Sequence, residues 1–385
     1  MNAQLPRTLF DDDHNAFRAV VREFVEGEVV PHLDRWAADG SVDRKFYQAA
    51  GRVGLLGPAV PEPYGGGGVD DFRYSMVITE ELCRVGANAV SMSIGGFNDL
   101  VAPYLCGLGT EEQKRRWLPR ACSGELVTAI AMSEPGAGSD LRAIRTSATP
   151  DGDHYRLTGA KTFISNGILA DLVVVAAKTG PPRDRDGISL FVVEGDMPGF
   201  TRGRKLAKIG LDAQDTAELF FDDVLVPRTN LLGDEGRGLS YLMHNLATER
   251  ISVTVAAMAS MERTLHHTLE YTRQRQAFGR AVADFQHNRF VLAELATQIQ
   301  VARVFVDRCV TELVAGTLTP ETAAMAKLWT TELQQTVVQR CLQLYGGYGY
   351  MREYPIARDF LDARVTTLFA GTSEIMKEII ARSLP

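Results

Sequence analysis

Between residues 126 and 227 the chain reads as five short apolar runs: LVTAIAM (126–132), HYRLTG (154–159), DLVVVAA (171–177), ISLFVVEG (188–195) and AELFFDDVLVP (217–227). They are rich in β-branched residues and separated by turn signals, with Asp151-Gly152 as a tight turn and a polar loop over 180–187, so this third predicts a small all-β domain. Before it the periodicity is helical. Phe17, Val20, Val21, Phe24 and Val25 recur at helical spacing within 11–39, with Asp12 or Asp13 as N-cap. Ser41 and Asp43 open a second amphipathic stretch, which the turn at Pro61, Pro63 and 65–68 ends. Helical runs follow over 72–84 and 88–105, and another starts at the cap Thr110 with Glu111 and Glu112 in its first turn. After about Gly236 come long helical pieces over 238–275, 284–315 and 320–344, then two short helices, the pattern of an antiparallel bundle. The order helix, strand, helix lacks the alternation of a doubly wound fold. The expected class is multidomain α+β: an all-α domain over 1–122, a β domain over 123–233 and a helical bundle over 234–385.

Composition narrows the function. At about 150 residues per domain, 385 residues fit two or three domains, and 45% hydrophobic residues supply their cores. A net charge of -7 without a basic run argues against nucleic acid as partner. No apolar stretch approaches the roughly 18 residues of a membrane span. The acidic start MNAQLPRTLFDDDHNAF has no apolar core of a secretory signal. Cys83, Cys106, Cys122, Cys309 and Cys341 form no CxxC pair and read as free thiols in a reducing cytoplasm, with no metal site. There is no GxGxxG after a strand, no P-loop, no HExxH and no GxSxG; His266-His267 is a dipeptide whose rings leave different sides of a helix.

Two glycine-rich segments remain. In MSEPGAGSD (132–140) the glycines let backbone N–H groups approach a phosphate, and Ser133 and Ser139 can donate to ring or phosphate oxygens; a plain strand-end turn fits the same composition. YGGYGY (345–350) ends a long helix, where glycine is the usual cap and the aromatics can simply pack.

In order along the chain stand PEPYGG (61–66), AMSEPGAGSD (131–140), GAKTFISNG (159–167), KIGLDAQDTAELFFDDVLVP (208–227), RQRQAFG (273–279), Phe285-Gln286, QLYGGYGYMREYPIARDFLDAR (343–364) and AGTSEIMKEIIARSL (370–384). Together these segments resemble the acyl-CoA dehydrogenase flavoproteins over essentially the whole chain. The resemblance implies a three-domain fold with a β-barrel-like middle domain and a C-terminal four-helix bundle. It further implies bound FAD, a homotetramer or dimer, and oxidation of an acyl-CoA thioester to its trans-2-enoyl form. Electrons would pass to an electron-transferring flavoprotein.

That chemistry needs a carboxylate to take the α-proton while a hydride leaves the β-carbon, with the thioester carbonyl polarised. Many family members carry Glu before the C-terminal Gly-Thr, where this chain has Ala370. The long-chain and isovaleryl branches resemble it in placing Glu-Arg on a core helix of the C-terminal domain, here Glu249-Arg250. Leu242, Leu246, Val253 and Ala256 lie at i−7, i−3, i+4 and i+7 from Glu249, and a carboxylate on such an apolar face is desolvated, which raises its pKa. A structural ion pair with an arginine from another element is the competing reading for Glu249, and a helix-surface ion pair the competing one for Arg250.

By position, the resemblance puts Ile130, Met132, Ser133, Gly138 and Ser139 along the isoalloxazine and pyrophosphate of FAD, with Phe163 and Ser165 flanking the ring. Arg275, Phe278, Gln286, Gln343, Gly346 and Gly347 would reach the FAD of a neighbouring subunit, and Thr372 and Glu374 its adenosine side. Ser139, Arg250 and Gly371 would meet the substrate. The same chemistry on a carrier-tethered acyl or aminoacyl group, and a flavin-binding subunit without catalysis, remain alternatives; an oxidase fits this length less well. Acyl chain length, which depends on side chains within 91–100, stays open.

Overall fold

The switch from helix to strand falls close to where the periodicity changes. The computed structural model describes residues 5–180 and 187–385, so most of the expected polar loop over 180–187 lies outside the described residues. Seven helices come first: α1 (Asp12–Phe24), α2 (Leu33–Asp39), α3 (Arg44–Arg52), α4 (Phe72–Arg84), α5 (Asn88–Gly95), α6 (Ala102–Leu108) and α7 (Glu111–Cys122). The strands are β1 (Thr128–Ala131), β2 (Ser147–Asp151), β3 (His154–Ser165), β4 (Leu172–Lys178), β5 (Ile188–Glu194), β6 (Phe200–Lys205), β7 (Thr216–Pro227) and β8 (Leu231–Leu232). The chain ends with α8 (Gly238–Gln274), the hairpin β9 (Gln276–Ala277) and β10 (Arg280–Ala281), then α9 (Gln286–Val314), α10 (Pro320–Tyr345), α11 (Pro355–Ala363) and α12 (Ser373–Ser383).

The cap of α1 differs from expectation. Asp11 holds that place: its carboxylate accepts from the His14 N–H at 3.1 Å, and His14 Nδ1 accepts from the Asp11 N–H at 3.4 Å. Asp12 and Asp13 sit in the first turn, where negative charge meets the positive end of the helix. Thr110 caps α7 as its position predicts, in a capping box with Gln113.

The strands run in the order β6-β7-β3-β2-β4-β5-β8, with β1 parallel to β4. Strand β4 explains why its sequence is continuously apolar. Leu172, Val174 and Ala176 pack with the N-terminal helices around Trp36, Tyr104 and Trp117. Val173, Val175 and Ala177 point the other way, into a core with Tyr155, Phe191 and Phe221. Both faces are buried, so the alternation expected of a one-sided strand is absent. A third core fills the bundle, where α8 packs on α9 and α10 through Met258, Leu265, Leu295, Val306 and Val337.

The N-terminal helices meet the bundle through buried charge. Glu80 on α4 accepts from Arg7 at 2.9 Å, Arg18 at 2.8 Å and Arg303 of α9 at 3.1 Å. Arg303 also grips Glu262 of α8 with two bonds, at 2.8 and 2.6 Å. Burial pushes the Glu80 carboxyl up, but Arg303, Arg7 and Arg18 outweigh it and hold the group below the ordinary carboxylate range. Its contribution to stability is therefore present above that range and is lost as pH falls through the lowered value. Replacing Arg303 by Met is expected to lower the unfolding free energy at neutral pH. The loss should fall near the lower end of the roughly 3–5 kcal/mol typical of a broken buried pair, because Glu80 keeps two arginines. A urea titration of the two proteins checks this.

Candidate active site

Glu249 lies within the 37-residue helix α8 and is 4% exposed. Of the four neighbours expected to form its apolar face, Leu242 and Val253 are buried and Leu246 and Ala256 half-buried. Among the described residues no arginine from another element grips the carboxylate. Its partner is Tyr104 on α6, whose hydroxyl donates to Oε1 at 2.9 Å. Burial pushes the carboxyl from its usual 4.5 up to about 7; the Tyr104 hydrogen bond and the nearby Arg250 charge act downward, and Asp99 adds to the rise. This places a proton acceptor near neutral pH in a water-poor setting.

Arg250 overturns the surface ion-pair alternative. It is 5% exposed, makes no ion pair among the described residues, and its buried Nε has no hydrogen-bond partner. A guanidinium held dry with an unused donor is suited to an acceptor brought by a ligand. Beside it lies Lys327 of α10, fully buried, whose Nζ donates to the Gly371 carbonyl at 2.7 Å. Burial first, and Arg250 second, push this lysine down to about 8. Ala370, at the alternative base position, has φ +52, a left-handed backbone that alanine adopts at a cost.

The expected flavin residues fall into separate groups. The loop over 132–140 follows β1 and is anchored from below by β3. Lys161, fully buried, donates to Glu134 Oε1 at 2.9 Å and to the Met132 carbonyl at 3.0 Å, and the Thr162 N–H donates to the Ser133 carbonyl at 3.0 Å. Glu134 in turn accepts from the N–H groups of Arg145 and Thr146. Ile130, Met132 and Ser133 are half-buried, Gly138 and Ser139 exposed, and a side chain added at Gly136 or Gly138 would meet nothing. Next to this loop Phe163, with φ +60, stands 70% exposed, and Ser165 is exposed. A flat ring with a phosphate tail fits such an anchored, open-topped loop.

The second group lies elsewhere. Arg275, Gln343, Gly346 and Gly347 line a cavity of about 720 Å³ with Tyr271, Tyr345 and Tyr348, and none of the 130–139 residues, Phe163 or Ser165 borders it. Arg275 stacks over Tyr348. Phe278, 98% exposed at the tip of the β9–β10 hairpin, and Gln286, exposed at the start of α9, are outside this cavity. Thr372 caps α12, accepting from the Ile375 N–H at 3.3 Å, with Glu374 exposed in the first turn. Residues 99, 104 and 327 were not singled out by the sequence. Tyr104 in VAPYLCG carries no signal separating it from ordinary core.

The chain is similar to known proteins over nearly its whole length. Residues 11–125, 129–224 and 236–384 match the families described as acyl-CoA dehydrogenase N-terminal, middle and C-terminal domains. A long-chain specific acyl-CoA dehydrogenase of Sus scrofa mitochondria is 46% identical over 98% of this chain and 88% of its own length. The crystal structure of an acyl-CoA dehydrogenase from Geobacillus kaustophilus superposes with a TM-score of 0.95 at 52% identity, covering 98% of this chain and 99% of that one. A glutaryl-CoA dehydrogenase from Mycobacterium smegmatis, solved with FADH2, gives 0.90 at 28% identity over 97% and 95%.

The raised Glu249 pKa has a stability consequence. The folded protein binds this proton more tightly than the unfolded chain, so the favourable term is complete below about 4.5 and is lost as pH rises through about 7. Glu249→Gln is therefore expected to be more stable than wild type at pH 8, by up to the order of 3 kcal/mol, with the advantage gone near pH 4.5. Thermal melts at the two pH values test it.

Proposed function

The chain belongs to the acyl-CoA dehydrogenase family and catalyses FAD-dependent dehydrogenation of an acyl-CoA, and on that premise we propose that Glu249 is the base that removes the α-proton. The observation that carries this reading is a buried carboxylate, poised at about 7, with a tyrosine and, among the described residues, no cation in direct contact. Bound FAD supplies the hydride acceptor. Glu249 accepts the α-proton at a carboxylate oxygen while a hydride leaves the β-carbon, and the electrons of the α C–H bond become the π bond of the trans-2-enoyl thioester. Arg250, with its unused Nε, is suited to the CoA thioester side, together with Ser139 and Gly371.

The anchored loop supports FAD contacts by Ile130, Met132, Ser133, Gly138 and Ser139, with Phe163 and Ser165 beside the ring. We assign Arg275, Phe278, Gln286, Gln343, Gly346 and Gly347 to the flavin of a neighbouring copy, and Thr372 and Glu374 to its adenosine side. The near-complete exposure of Phe278 supports this, since a hairpin-tip phenyl ring gains by burial against a second chain. Exposed Phe290, Val301, Val304 and Trp329 on α9 and α10 support assembly to a homotetramer. We divide the chain into domains at 122/123 and 233/234. The acceptor we propose is an electron-transferring flavoprotein, as family membership supports. No helix among the described residues is long and apolar enough to cross a membrane; five unpaired cysteines support a cytoplasmic setting.

Anaerobic mixing with a ladder of acyl-CoAs tests the proposal. Wild type is expected to bleach its flavin, and Glu249→Gln to keep FAD but reduce it about a hundredfold to ten-thousandfold more slowly, the range typical of losing a proton-transfer group. Unimpaired bleaching in the variant would overturn Glu249 as base.

A further inference from the structure

Beyond Glu249 itself, the segment facing it has an unusual build. Between α5 and α6 the helix widens into a π-turn, Gly96–Val101, in which the Ala102 N–H reaches back five residues to Phe97. Pro103 follows directly, and without an N–H it cannot continue an ordinary ladder to residue 99. Such turns insert a residue and re-aim whatever comes after. Here the segment delivers two buried groups to one face of α8. Tyr104 meets Glu249, and Asp99, 4% exposed, accepts a hydrogen bond from Ser252, which lies three residues beyond Glu249 on that face.

We propose that Tyr104 is a positioning residue that holds Glu249 ionised and aimed, and that Asp99, pinned by Ser252 one turn along, is its electrostatic counterweight. The inference rests on Glu249 being the base. A phenol donating to a carboxylate oxygen favours the charged form, whereas a second buried carboxylate disfavours it. The remaining groups around Glu249 are few. Arg250 is its helix neighbour and acts in the same direction as Tyr104; Asn245 lies by the Tyr104 hydroxyl and is neutral. Lys327 on α10 acts on Arg250 and donates to Gly371. Ser75 of α4 is a second donor to Asp99.

The two groups oppose each other, so their removal has opposite signs. The measurement is the second-order rate constant for anaerobic flavin reduction, taken from pH 5 to 9 with the acyl-CoA that bleaches wild type fastest. This constant reports groups on the free holoenzyme. Tyr104→Phe is expected to move the acid limb upward by about one pH unit, and Asp99→Asn to move it downward by less. Burial pushes the Asp99 carboxyl up and the Ser252 hydroxyl acts against that rise, so Ser252→Ala moves the limb the same way as Asp99→Asn but less. A residue needed only for packing would lower the rate without moving the limb. If Tyr104→Phe does not hold FAD, the Asp99 and Ser252 variants carry the test. Limbs that coincide with wild type, a Tyr104→Phe limb that moves downward, or Asp99→Asn and Ser252→Ala limbs that move upward overturn the inference. Glu249→Gln, run alongside, separates the two failures: if it still bleaches, the base assignment falls and the clamp with it; if it is dead while the limbs stay put, only the clamp falls.

Discussion

Removing a carboxylate from water costs several kcal/mol unless something replaces the lost solvation, and the protein solves that problem in two opposite ways. Glu80 is buried and receives three arginines, which hold it charged and use it to join the N-terminal helices to the bundle. Glu249 is as deeply buried and receives a neutral tyrosine hydroxyl, whose downward pull is too small to offset burial, so its proton affinity rises towards neutrality. The first is a structural ion, and the second is the group we propose as the base. What distinguishes them is the charge of the partners, not the degree of burial.

The rest of the fold keeps Glu249 in that state. Helix α8 packs against α4, α9 and α10, and the carboxylate it carries is buried. The strand layer is itself held between two cores, which gives the loop after β1 a rigid floor in β3. A rigid floor matters for a cofactor that must lie within contact distance of a buried acyl chain.

Much of this was legible in the chain. The change from 3.6-residue to short β-branched runs marks the helix–strand–helix order, and Glu249 is marked by the resemblance of Glu249-Arg250 to the long-chain and isovaleryl branches, with apolar residues at helical spacing in support. Local signals fared worse where a choice depended on one residue: the cap of α1 is Asp11, since His14 completes a reciprocal pair that Asp12 and Asp13 cannot make. Arg250 could be read as surface or interior, because a single arginine on a helix carries no signal of its own burial. Tyr104 and Asp99 were invisible for a different reason. Their importance comes from an approach of two segments some 145 residues apart, and no periodicity within either segment encodes that pairing.

The π-turn over Gly96–Val101 also bears on how such sequences diverge. An α-helix advances about 100° per residue, so the single inserted residue sets the azimuth of everything from Ala102 to Leu108. A one-residue deletion here would leave the helix length nearly the same and look like a trivial gap in an alignment. It would nonetheless rotate Tyr104 off the face that meets α8 and turn a different side chain toward the carboxylate. In this stretch, length rather than residue identity is the heritable variable that relatives must keep if they keep the same contact.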